Sequence, residues 1–85
     1  MDKREVEQRI KKVTSQVLGV PEDEIRSESR FAADLGAESI QSIQLVAAFE
    51  EEFGIQMDEE QALAVSTVGK AVDYICQHIA EQKDK

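Results

Sequence analysis

Wherever apolar side chains recur in this chain they recur every third or fourth residue, and that one period excludes most of what 85 residues could fold into. Val6, Ile10, Val13 and Val17 set it near the start, Leu45, Phe49 and Phe53 repeat it mid-chain, and Val68, Val72, Ile75 and Ile79 repeat it near the end. Side chains at those offsets share one face of a helix. No stretch alternates with the period of two that a strand needs, and no Asn-Gly or Asp-Gly pair marks a hairpin. The chain therefore reads as all-α.

Punctuation places the helices. Gly19 and Pro21 stop the first, and residues 20 to about 37 form a long loop that Val20, Ile25, Phe31 and Leu35 should pin down. The second helix runs from about Ser39 to Phe53 and is closed by Gly54. Asp58 with Gln61 three residues on suggests a capping box for a short third helix through about Ala64, and Thr67 caps a fourth that ends near Ile79. The tail from Glu81 to Lys85 should fray. The expected fold is a four-helix bundle of three longer helices and one short one. At this length, residues 1–85 make a single domain with one modest core.

Charge and cysteine usage narrow the function classes. The net charge is −8, and residues 31–69 hold eight acidic residues and no Lys or Arg, whereas residues 1–20 balance to +2. Such a field repels nucleic acid and anionic membrane and attracts proteins with Lys- and Arg-rich surfaces. The lone Cys76 excludes an internal disulfide or a cysteine-based zinc site. No apolar run approaches the roughly 18 residues of a membrane span, and no targeting segment is visible, so a cytoplasmic monomer is expected.

The second helix is unusual in its width of apolar surface. Leu45, Phe49 and Phe53 form one row with Val46 beside it, and Ile40, Ile43 and Ala47 widen the arc to roughly 220°. Either this helix is buried on two sides or the Ile40, Ile43 and Ala47 edge is a contact patch; acids rimming the edge favour the patch. Leu45, Val46, Phe49, Leu63, Val65, Val68, Val72 and Ile75 should make the interior. Machinery for catalysis is missing. His78 has no triad-like or zinc-like company, Cys76 reads as a small hydrophobe, and the acidic runs 50–52 and 58–60 lack the Gly and alternating ligands of a calcium loop. No enzyme activity and no metal site are expected.

Ser39 remains. It opens the second helix at the end of the loop Asp34-Leu35-Gly36-Ala37-Glu38. Serine there is commonly only a cap, yet a hydroxyl on the first turn also stands where backbone N–H groups and the helix dipole favour a phosphate ester. The run from Phe31 to Val46 resembles the modification segment of acyl carrier proteins, whose signature is Asp-Leu-Gly-x-Asp-Ser-Leu before an amphipathic helix. The resemblance continues through Phe49, Phe53, the acidic stretch 58–60, and Thr67 with Val68.

That resemblance implies a carrier bearing 4′-phosphopantetheine covalently on Ser39, installed from coenzyme A by a phosphopantetheinyl transferase. The arm would hold acyl groups as thioesters for acyltransferases, ketosynthases or other enzymes of fatty acid or related lipid or polyketide synthesis. Their basic docking patches would contact Glu38, Ile40, Ile43, Ala47, Glu50 and Glu51, and the interior would shelter the acyl chain. A peptidyl or polyketide carrier domain of a secondary-metabolite pathway and an unmodified acidic helical adaptor are the alternatives. Departures are visible: Glu38 stands where the family usually has Asp, Ile40 where it has Leu, and Gln41 and Gln44 where fatty-acid carriers usually place acids.

Overall fold

The computed structural model describes residues 2–83, in the order α1 (Lys3–Leu18), a 3₁₀ turn at Glu22–Glu24, α2 (Ser39–Phe53), α3 (Glu59–Ala64) and α4 (Val68–Lys83). Local chemistry sets most boundaries. The Asp2 carboxylate accepts the Glu5 N–H at 2.8 Å to open α1, and Gly19 and Gly54 close α1 and α2 in the left-handed conformation that only glycine adopts cheaply. Asp58 Oδ1 accepts the Gln61 N–H at 3.1 Å to open α3, and Thr67 Oγ1 accepts the Lys70 N–H at 3.2 Å to open α4. Among the described residues there is no strand, only an isolated antiparallel bridge between Arg30 and Thr67.

α1 packs along both α2 and α4, and their facing stripes supply the best-buried side chains: Val6 and Ile10 from α1, and Val68, Val72 and Ile75 from α4. Leu45 and Phe49 bring α2 into the same core, which Ile55 and Ala71 complete. α3 leans on α2 and buries none of its own side chains.

The long loop is anchored as expected, with Ile25 and Phe31 buried and Val20 and Leu35 partly buried against the core. It is also laced to the start of α4. Phe31 N–H donates to Ser66 O at 3.0 Å, Val68 N–H to Ser29 O at 3.0 Å, and Gly69 N–H to Ser27 O at 2.7 Å. This explains a glycine early in a helix, since a Cβ on residue 69 would lie 3.1 Å from the Ser27 carbonyl oxygen.

Two expectations need correction. α4 does not end near Ile79 but continues through Lys83; Ala80, Glu81, Gln82 and Lys83 are all good helix formers and nothing among them breaks the turn. Asp84 and Lys85 lie outside the described residues. Leu63, assigned to the interior, is 42% exposed, because a helix of six residues follows the chain path between its neighbours and cannot turn every apolar residue inward.

Candidate functional site at the start of α2

The segment before α2 is built to present one residue. Asp34 clasps the turn: its Oδ2 accepts the Arg30 backbone N–H at 2.8 Å and the Arg30 Nε–H at 3.1 Å, and these bonds from Arg30 hold the carboxyl below its ordinary pKa. Gly36 ends the turn at φ 73°, with open space around the missing Cβ, so backbone conformation alone requires glycine there. Ala37 is buried and donates its N–H to Phe31 O at 2.8 Å. From that anchor the chain swings outward.

Glu38, not Ser39, is the N-cap of α2. Its extended backbone precedes the helix, and its N–H donates to Gln41 Oε1 at 2.9 Å, the back half of a capping box. Ser39 is the first helical residue. It is exposed, and among the described residues its hydroxyl has no hydrogen-bond partner. Serine as cap was the ordinary explanation for that residue; the cap is made by its neighbours and the hydroxyl is left spare. The Ser39 and Ile40 N–H groups are unpaired as well, as the first turn of a helix requires. A hydroxyl in reach of solvent beside two free donors and a positive helix end fits a phosphate ester.

The apolar edge is exposed: Ile40 at 65%, Ile43 at 49%, and Ala47 with them. Glu38 and Glu51 flank it in solvent, whereas the Glu50 carboxylate is partly committed, accepting the Met57 N–H at 2.9 Å to hold the loop into α3. The acidic segment is also less isolated than its sequence implies, since Asp34 pairs with Arg30 at 3.1 Å and Glu52 with Arg9 of α1 at 3.5 Å. Neither partner lies within residues 31–69. Glu38, Glu50, Glu51, Asp58, Glu59 and Glu60 have no ion pair among the described residues. Adding salt or Mg²⁺ should therefore raise the melting temperature by several degrees, since relief of about 1 kcal/mol of repulsion is worth about 4–8 °C in a domain this small. A melting temperature that stays flat or falls with ionic strength would contradict this.

Beneath α2 lies a largely apolar cleft of about 50 Å³, walled by Leu45 and Phe49 of α2, Ile75 and Tyr74 of α4, and Leu63 near α3's end. Ser42, one turn past Ser39, lines it as well. The remaining candidates have quiet surroundings. Cys76 is half-buried against the core and burial pushes its thiol pKa up, which lowers its thiolate fraction. His78 Nδ1 lies 3.1 Å from Tyr74 O, with the two rings 4.4 Å apart. No helix is long and apolar enough to cross a membrane among the described residues.

Sequence reading missed Gln41's part in capping and Ser42's place in the cleft. Glu-x-x-Gln at offset three was the available signal for the first; for the second, Ser42 sits at i+3 from Ser39 and i−3 from the buried Leu45.

Comparison with known proteins supplies the family. The family model described as the phosphopantetheine attachment site matches residues 8–75. The solved acyl carrier protein from Enterococcus faecalis is 35% identical over 92% of this chain and 99% of its own, with a TM-score of 0.76. The chain belongs to the acyl carrier protein family, non-catalytic carriers that bind a covalently attached phosphopantetheine.

Proposed function

We propose that Ser39 bears the phosphopantetheine and that the chain, residues 1–85 acting as one carrier domain in the cytoplasm, delivers acyl groups within fatty acid or related lipid or polyketide synthesis. The observation that supports this most is the Ser39 hydroxyl itself, exposed and unpartnered on the first turn of α2 while Glu38 and Gln41 make the cap. The group supplies, when bound, a terminal thiol on which an acyl group is held as a thioester. The chain's residues do the rest. Asp34, Arg30 and Gly36 hold the turn that presents Ser39, the free N–H groups of Ser39 and Ile40 favour the phosphate charge, and the cleft offers apolar cover.

Docking falls to the exposed Ile40, Ile43 and Ala47 edge, with Glu38 and Glu51 steering basic partners and Glu50 contributing through its field. Gln41 and Gln44 leave the first half of that face neutral. Exposed ion pairs are worth about 0.2–1 kcal/mol each, so two missing ones shift enzyme choice by several-fold. We therefore infer a specialised carrier, served well by a dedicated acyltransferase or synthase and poorly by housekeeping enzymes.

The test is competition of the loaded protein against a housekeeping carrier for a malonyl transferase or ketosynthase. Gln41→Glu keeps the back-bond to the Glu38 N–H and Gln44 is exposed, so the pair Gln41→Glu/Gln44→Glu restores charge without disturbing the cap. The double variant should gain several-fold in specificity constant. Parity of the unaltered protein with the housekeeping carrier, or no gain in the variant, overturns the specialisation.

A further inference from the structure

Ser42 brings a hydroxyl, still in reach of water, to the lining of a largely apolar cleft. It is half-buried on α2, it lines the cleft, and among the described residues its hydroxyl has no hydrogen-bond partner. The other hydroxyl on the lining, that of Tyr74, is turned toward Gln61 of α3, whose Oε1 lies 3.5 Å away. Around them the walls are Phe31, Leu45, Phe49 and Ile75, which offer no hydrogen bond from their side chains. A guest filling the cleft strips that hydroxyl of its water, so the guest that costs least is one that brings its own oxygen. Size restricts the guest further. About 50 Å³ holds roughly three waters, so a long chain would have to force the walls apart.

We infer that Ser42 selects the cargo, favouring short acyl chains with a hydroxyl or oxo group near the thioester over plain alkyl chains of equal length. This rests on the carrier reading above. Serine both donates and accepts, so either oxygen substituent satisfies it. The Ser42 position is one helical turn beyond Ser39 on adjoining surface, where a chain tethered at Ser39 and turning inward meets it early.

The experiment loads wild-type protein with hexanoyl, 3-hydroxyhexanoyl or 3-oxohexanoyl arms from the matching coenzyme A thioesters, using a promiscuous transferase and checking by intact mass. Hydroxylamine cleavage of each thioester is then measured relative to the same thioester on free coenzyme A, and melting temperatures are recorded alongside. The 3-hydroxy and 3-oxo chains should be protected roughly three- to tenfold better than hexanoyl, the strength of one hydrogen bond. They should also raise the melting temperature more. Ser42→Ala should erase the difference and Ser42→Thr should keep it. A larger response to the hydroxy arm assigns Ser42 as acceptor, and a larger response to the oxo arm assigns it as donor; either result supports the inference. Equal or better protection of hexanoyl in the wild type, no protection of any chain, or a preference that survives Ser42→Ala overturns it while leaving the carrier reading intact. Failure to load any arm is seen at the intact-mass step and overturns both.

Discussion

Replacing Ser39 with Ala is expected to abolish phosphopantetheine loading completely while leaving the helical circular dichroism and the melting temperature almost unchanged. Loading falls because the acceptor oxygen is gone. Stability survives because the hydroxyl bonds to nothing and the cap belongs to Glu38 and Gln41, so the change behaves as a surface substitution within about 0.5 kcal/mol. Gln41→Ala makes the contrast sharp, since it removes the side chain that pairs the Glu38 N–H and should cost about 1 kcal/mol although serine is the better capping residue type. Intact mass after incubation with coenzyme A, Mg²⁺ and a broad-specificity transferase, together with urea melts, reads both. If Ser39→Ala destabilises more than Gln41→Ala, the start of α2 is capped differently from the arrangement described.

The largest stability effects should come from α1, with opposite signs at neighbouring positions. Ile10 is wholly buried between α1 and α4, and truncation to Ala removes most of a side chain from a well-packed core at a cost of about 2–5 kcal/mol. At about 0.05–0.15 kcal/mol per residue a domain this size holds only about 4–13 kcal/mol in all, so Ile10→Ala should lose a large share of its stability and melt many degrees lower. Thr14, one turn on, is also wholly buried, and its Oγ1 has no hydrogen-bond partner. Thr14→Val removes that stranded hydroxyl and should raise stability by about 1 kcal/mol, several degrees in melting temperature. Urea unfolding followed by circular dichroism decides both. A loss below 1 kcal/mol for Ile10→Ala, or a destabilised Thr14→Val, would mean that α1 does not pack as described.

How much of this was legible from sequence follows the range of the interactions. Helix boundaries at Gly19, Gly54, Asp58 and Thr67 depend on caps spanning three or four residues, and those signals sit next to each other in the chain. The exposed Ile40, Ile43 and Ala47 edge was legible because an apolar arc wider than one core can cover must leave part of itself outside. The cap of α2 was harder to read, since Ser39 is itself a favoured capping type and hides the Glu38 and Gln41 pair on either side of it. Glu52 with Arg9 joins two helices far apart in sequence, and no local pattern announces it. Leu63 has helical spacing but too short a helix to enforce a face. Ser42's free hydroxyl emerges only once α2, α3 and α4 enclose a common space.

The proposal that Ser39 is the attachment site rests on one oxygen atom, and site-resolved mass spectrometry of the wild-type protein addresses it directly. After incubation with coenzyme A, Mg²⁺ and an active transferase, phosphopantetheine should be found on the peptide containing Ser39, with fragment ions placing it on that residue and no other. An arm on Ser42 or Ser66, or an unmodified chain under conditions that fully load a control carrier, would contradict the account.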